Sequence, residues 1–284
     1  MPPCFPGEWS FAQRTGLMDE DGPMTPARRK LADNLKRTQQ RIADACARTS
    51  RDLATVRLVA VTKYAPVEII RSLVELGVCD LGENRVQELT RRAAMTQEWL
   101  ARRGRDTDTG EGPRWHMIGH LQRNKVKAVL PWTHTIHSLD SLRLAEEVDA
   151  HAARLGRVVP VLLEVNASGE ASKSGVAVAA AAHLAEQVRT LKHVQLRGLM
   201  TMAPLTDDES VVRQVFERTR ELFDEMIGEG VVSSGEFTEL SMGMSQDFEW
   251  AIEYGATFVR VGSALFEGID LGAPPADVET TASA

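Results

Sequence analysis

The feature that most narrows what this chain can fold into is a regular alternation between residues 56 and 263, where short β-branched or apolar runs take turns with longer amphipathic ones. Strand-like runs lie near 56–62 (VRLVAVT), 78–82, 114–118, 133–137, 158–165 (VVPVLLEV), 195–200, 236–241 and 257–262 (TFVRVG). Helix-like segments follow them near 66–76, 85–103, 122–129, 141–155, 177–191, 208–228 and 246–254. Gly77, Gly156 and Gly255 stand just past helix ends, where a positive φ is cheap. A strict βα alternation predicts a parallel sheet covered by helices. Eight such units fit an α/β fold of the (β/α)8 TIM-barrel type, which typically takes about 250 residues. The competitor, a doubly wound open sheet, wants a GxGxxG turn after its first strand, and here that strand runs into TKYAP. The barrel is favoured.

An extra N-terminal helix is expected ahead of the barrel. Thr25-Pro26 reads as an N-cap and a first-turn proline, and Leu31, Leu35, Ile42 and Cys46 recur at helical spacing as far as about residue 49. Residues 1–24 carry Pro, Gly and acidic residues without periodicity and are predicted to be a disordered extension. Residues 25–271 then form one barrel domain, and 272–284 a loose, Pro/Ala/Thr-rich tail.

Composition removes several function classes. The net charge of -7 gives no global pull toward nucleic acid. No apolar run reaches the ~18 residues of a membrane span, and the opening MPPCFPGEWSFAQRTG has no secretory pattern. Cys4, Cys46 and Cys79 are scattered without CxxC spacing, which argues for a reducing, cytoplasmic setting. No long apolar stripe is left over, so a monomer is expected.

In a (β/α)8 barrel the site is built at the C-terminal ends of the strands. The first strand ends at Lys63, and the second runs into Gly82-Glu83-Asn84-Arg85. The third leads to His116 and Gly119-His120, the fourth to His137-Ser138, the fifth to Asn166 and the sixth to Met200-Thr201. The last two end in Ser241-Met242-Gly243 and Arg260-Val261-Gly262-Ser263. Polar residues and glycines thus gather at one end. Lys63 follows the apolar run LVAV, so desolvation there would favour a neutral, nucleophilic amine. The bland alternative is a lysine whose head pairs with Glu83 or Glu164.

The loops after the seventh and eighth strands, SMGMSQD and RVGSALFEG, hold the usual phosphate site of such barrels. Gly243 and Gly262 would let backbone N–H groups approach an anion, with Ser241, Ser245 and Ser263 adding hydroxyls and Arg260 charge. A short helix starting near Ser263 would aim its positive end inward. The alternative is that these glycines serve only tight turns and that Arg260 pairs with an acidic group outside the barrel.

Other motifs carry less. The HxxxH pair His116/His120 and the HxxH pair His134/His137 lack the HExxH pattern, so hydrogen-bonding or core histidines are expected and no metal site. NASGEASKSG at 166–175 is not a P-loop, and the basic N-terminal helix reads as a solvated face.

Taken together the sequence resembles the pyridoxal phosphate homeostasis protein family over nearly all of residues 26–268. The resemblance is carried by AVTKYAP, LGENRVQEL, WHMIGHLQRNK, IHSLDS, VNASGEASKSG, RGLMTMAP, LSMGMSQDFEWAI and VRVGSALF. That family is similar to the N-terminal barrel domain of alanine racemases. The resemblance implies pyridoxal 5'-phosphate (PLP) as cofactor, held as an internal aldimine (a Schiff base) on Lys63. It places Asn84 beside the pyridine ring, Met200 near the ring, and Ser241, Gly243, Arg260, Gly262 and Ser263 around the phosphate. Where the family usually continues IFG, this chain has Leu265-Phe266-Glu267-Gly268, which leaves the shape of the last phosphate turn open.

Alanine racemases draw a second base from a separate β-rich domain, and no such domain follows the barrel here. The expected role is therefore a non-catalytic carrier or buffer that holds the aldehyde reversibly and delivers it to apo-enzymes. A racemase or transaminase of low activity is the alternative, and a cofactor-free Schiff-base aldolase or an RNA-binding scaffold are readings of other classes.

Overall fold

The eight expected strands all form, and a ninth, very short one joins them. They are β1 (Arg57–Val61), β2 (Asp80–Glu83), β3 (Arg114–Met117), β4 (Thr135–Leu139), β5 (Val159–Asn166), the two-residue β6 (Val176–Ala177), β7 (Val194–Met200), β8 (Glu239–Ser241) and β9 (Phe258–Val261). The computed structural model describes residues 25–105, 112–170 and 173–272, so the expectations for 1–24 and for all but the first residue of 272–284 lie outside the described residues. All pairings are parallel. β1 through β5 follow one another, β5 continues to β7, β8 and β9, and β9 returns to β1. The sheet is thus a closed (β/α)8 barrel, with β6 added to the end of β5 outside the ring.

Around it lie α1 (Pro26–Arg48), α2 (Val67–Glu75), α3 (Val86–Arg102), α4 (Val126–Val129), α5 (Leu142–Arg154), α6 (Val178–Val188), α7 (Glu209–Gly228) and α8 (Phe248–Glu253). The Thr25 hydroxyl accepts from the Arg28 N–H at 3.2 Å, so the first helix starts at the cap its sequence offers. Gly77, Gly156 and Gly255 have φ of 86°, 64° and 97° just past α2, α5 and α8, as their positions required.

One expected element is replaced. After β9 the chain makes a turn, with Leu265 N–H bonded to Gly262 O at 2.9 Å and Phe266 N–H to Ser263 O at 3.2 Å, and no regular helix starts at Ser263. The place of an eighth outer helix is taken by α1, which packs between α8 and α2. The buried Asn34 amide of α1 donates to the carbonyls of both Leu265 and Glu267 at 2.9 Å. This tie fixes the last turn, because one buried and one part-buried acceptor are satisfied by one side chain. The Glu267 carboxylate points to Arg37 of α1 at 3.2 Å, on the outer side of that turn.

The main apolar core lies between barrel and helices. Inside the barrel the apolar filling is small: Val59, Leu162, Met200 and Phe258, with Met202 at its edge. Gly198 of β7 is obligatory, because a Cβ there would lie 1.6 Å from the Glu239 carbonyl oxygen on β8. The rest of the interior is polar. Such barrels usually stack branched aliphatic residues in that space, so the polar filling points to a use.

Candidate functional site

Lys63 stands where the sequence placed it, just beyond the end of β1, but it is exposed rather than desolvated. The physical reason is local. β1 ends at Val61, Thr62 is the last buried residue, and the turn at 63–64 lifts the lysine into the mouth of the barrel. Its Nζ lies 5.0 Å from the centre of the Tyr64 ring. Glu83 does not pair with it. That fully buried carboxylate takes the Arg92 guanidinium and the Thr62 hydroxyl instead, and Arg92 also donates to the carbonyls of Thr62 and Lys63. The backbone carrying Lys63 is therefore pinned from below by a buried ion pair on β2 and α3.

Asn84 follows at the end of β2, exposed to the mouth. Gly119 holds it close: a Cβ at 119 would meet the Asn84 carbonyl oxygen at 2.3 Å. Across the barrel the last two loops meet. The backbone N–H groups of Gly262 and Ala264 both point at the Ser245 hydroxyl, at 3.2 and 3.3 Å. Gly262 packs against Val61, two residues before Lys63, so lysine and cradle are neighbours. The Ser245 oxygen accepts from both amides, so two backbone donors and one hydroxyl are gathered at one spot, the kind of donor set that can form an anion cradle. Ser263 lies exposed in the same turn.

Gly243 has a different surrounding. With φ 89°, its missing Cβ would collide with Phe248 and Ala251 of α8 at 2.7 and 2.6 Å, so its glycine character serves the packing of α8. Ser241 and Arg260 lie a layer deeper, both buried inside the barrel. Arg260 donates to the Ser241 hydroxyl at 2.6 Å and to the Thr201 carbonyl at 2.9 Å. Among the described residues no carboxylate lies within ion-pairing distance of it. Burial lowers the Arg260 guanidinium to about 10, against the longer-range pull of Asp247 and Glu164. A buried cation held only by neutral acceptors is costly unless an anionic or polar ligand joins it. Met200 is fully buried beside this layer.

Sequence reasoning did not give five further residues the parts they play here. Ser245, considered only as one of three hydroxyls, is the one on which the cradle converges. Glu164, in register with Met200 and facing the interior from β5, is pushed up to about 7 by burial and then by the Asp140 carboxylate, against Arg260 and His120. Beneath Ser241, His137 and His116 continue a hydrogen-bonded chain to Asp80. The two histidine pairs read from spacing do not act as pairs. His120 is exposed and reaches Asp140 at 3.3 Å, while His116 and His137 turn inward together. The signal for this was period two: Asp80, His116, His137, Ser241 and Arg260 all fall on inward-facing strand positions.

The fold and site define a barrel of the alanine racemase type: the family model described as "Alanine racemase, N-terminal domain" matches residues 30–269. The "Pyridoxal phosphate homeostasis protein" of Aquifex aeolicus is 40% identical over 234 residues, covering 82% of this chain and 96% of that protein. The chain belongs to this family of alanine racemase-like barrels, the pyridoxal phosphate homeostasis proteins. Among solved structures, an unknown protein from Bifidobacterium adolescentis is 40% identical with a TM-score of 0.79, covering 87% of this chain and 98% of that one. PipY of Synechococcus elongatus, solved with PLP bound, is 33% identical with a TM-score of 0.68 over 83% of this chain and 99% of its own.

Proposed function

We propose that this protein binds pyridoxal 5'-phosphate at the barrel mouth, with the Lys63 amine as covalent anchor, and serves as an intracellular carrier or buffer of the cofactor. The observation that carries the reading is that the Gly262–Ala264–Ser245 donor cluster packs against Val61, on the strand that runs into Lys63. The donor set fits the cofactor. A phosphate needs converging N–H and O–H donors, an aldehyde needs a reachable amine, and both are within one loop pair of each other. Gly262, Ser245, Ser263 and Ala264 would hold the phosphate, Asn84 and Met200 would flank the ring, and Arg260, resting on Ser241, would supply positive charge from below. Gly243 contributes by seating α8 under the Ser245 loop.

When bound, the cofactor supplies a carbonyl for amines and an electron sink. The protein's part is to bind, orient and release it. Lys63 sits in an exposed turn, with Tyr64 beside it 45% exposed, so the amine and anything joined to it stay open to solvent and exchange. That openness favours hand-over to apo-enzymes over protection of a carbanion. Homologues named for homeostasis, and one solved with PLP bound, support the same reading.

A second reading, weak racemase or transaminase activity, is favoured by one observation: the Glu164 carboxyl, near neutrality in pKa and facing the site, is a usable acid or base. Purified protein incubated with PLP and reduced with borohydride tests the first reading. The label is expected on a single peptide containing Lys63 and is expected to vanish in Lys63→Ala; labelling elsewhere would overturn it. Alanine racemisation well above that of free PLP would replace the carrier with the enzyme.

A further inference from the structure

We propose that Asp80, His116 and His137 are positioning residues for the ligand site, holding Ser241 and Arg260 through a hydrogen-bond chain that runs in one direction only, from Arg260 down to Asp80. Its use by PLP rests on the function proposed above; its polarity rests on the geometry together with neutral imidazoles at both histidines, which is the state the test reads.

The chain crosses the barrel through five strands, β2, β3, β4, β8 and β9. Arg114 grips both oxygens of Asp80 at 2.7 Å, and His116 Nε2 lies 2.8 Å from Oδ1. His116 Nδ1 lies 2.9 Å from His137 Nε2, His137 Nδ1 lies 2.8 Å from the Ser241 hydroxyl, and that hydroxyl accepts from Arg260 at 2.6 Å. Both ends fix the direction. Arg260 has donors only, so the Ser241 oxygen accepts there. Asp80, as a carboxylate, has acceptors only, so His116 Nε2 carries a proton. With both imidazoles neutral, His116 Nδ1 must then accept from His137 Nε2–H, and His137 Nδ1 must accept from the Ser241 hydroxyl. Every group is satisfied once, with no donor facing a donor.

The surroundings keep this state. Burial alone would raise the Asp80 carboxyl, but hydrogen bonds from His116 and Arg114 outweigh it and hold the group below the usual carboxylate range. His137 is fully buried and faces His116, Arg260 on β9, Arg57 on β1 and the Phe258 ring; burial, the first cause, pushes it well below its ordinary value. His116 faces Asp80, His134, His137 and Phe258, and Glu239 on β8 pairs with Arg57 at the lower rim. A proton added at His137 would sit beside Arg260 and turn the Ser241 hydroxyl out of line. The order of the chain and the orientation of the Arg260 guanidinium are therefore one property.

The test reads histidine tautomers by nitrogen-15 NMR in the full chain without added ligand. The expected result is two buried neutral imidazoles, both protonated on Nε2 and bare on Nδ1, at pH 7. A protonated Nδ1, or an imidazolium, at either His116 or His137 would overturn the proposal. The same spectra of Asp80→Asn are expected to lose the single tautomer at His137, two hydrogen bonds from the changed atom. PLP binding by that variant is expected to weaken roughly tenfold, the order of one charge-assisted hydrogen bond. Unchanged PLP affinity in a folded Asp80→Asn protein would also overturn it. Wild-type protein that fails to bind PLP would defeat the proposed function, while the tautomer result still judges the chain.

Discussion

Arg92 of α3 reaches through the base of the site to Glu83 of β2, and from there its guanidinium also grasps the carbonyls of Thr62 and Lys63. Both side chains are almost completely buried, with 3% and 0% of their surface exposed. An ion pair so placed adds little net stability over an apolar pair of equal volume, yet breaking it by half is expensive. Arg92→Leu alone is expected to destabilise the fold by about 3–5 kcal/mol, and Glu83→Leu combined with Arg92→Leu by much less. Urea denaturation of the single and double variants checks this. Because the pair also fixes the Lys63 backbone, the stable double variant is expected to attach PLP more slowly, measured by absorbance.

Arg260 invites the opposite separation of stability from binding. It is buried with neutral acceptors at 2.6 and 2.9 Å. Arg260→Met is expected to leave ligand-free stability unchanged or raised, since a costly buried charge goes. Its affinity for PLP is expected to fall about tenfold or more. Parallel urea titration and equilibrium binding decide it, and a variant that loses stability and binding together would contradict the expectation.

Glu164 gives a pH signature. Its carboxyl is raised from 4.5 to about 7 in the fold, so the folded state holds a proton that the unfolded chain has already released between those values. Stability from this group is therefore intact below about 4.5 and is lost as pH climbs to about 7. At roughly 1.4 kcal/mol per unit this amounts to at most about 3 kcal/mol. Glu164→Gln is expected to recover most of that at pH 8 and to change little at pH 4.5, as read by denaturation of ligand-free protein at the two values.

Much of this architecture was legible from the residues. The period-two and period-3.6 alternation placed the strands and helices, because each parallel strand must be apolar toward its helices and each helix toward the sheet. Lys63 and the last two loops were legible because barrel geometry sends strand ends to one face. Three things were not. The stand-in of α1 for an eighth helix depends on the single Asn34 amide meeting the Leu265 and Glu267 carbonyls, a contact more than 230 residues apart in sequence. The choice of Ser245 over Ser241 as cradle hydroxyl turns on which way a three-residue strand faces. The interior chain was hidden because Asp80, His116 and His137 each look like an isolated polar residue until three strands are laid side by side.

The last turn supplies a contrast between two neighbours. Asn34→Ala leaves the buried Leu265 carbonyl and the part-buried Glu267 carbonyl without their donor and is expected to cost about 1–3 kcal/mol. Glu267→Ala removes an exposed pair with Arg37, worth at most about 1 kcal/mol, and is expected to leave PLP affinity unchanged. Thermal denaturation and binding of both variants test the assignment. An affinity change on Glu267→Ala would show that the carboxylate acts on the mouth after all.

With α1 in the final position of the helical ring, the molecule is in effect a circularly permuted barrel whose seam runs between the first and last of its described elements. The anion cradle lies on that seam. During synthesis the first helix must wait, its apolar stripe of Leu31, Leu35 and Ile42 uncovered, until the last strand emerges to receive it. Contacts of such long sequence separation form late and slowly. On the proposed function, competence to hold a phosphate is therefore acquired in the closing step of folding, and a chain arrested before that step would have Lys63 in place without the Gly262–Ala264–Ser245 cluster beside it.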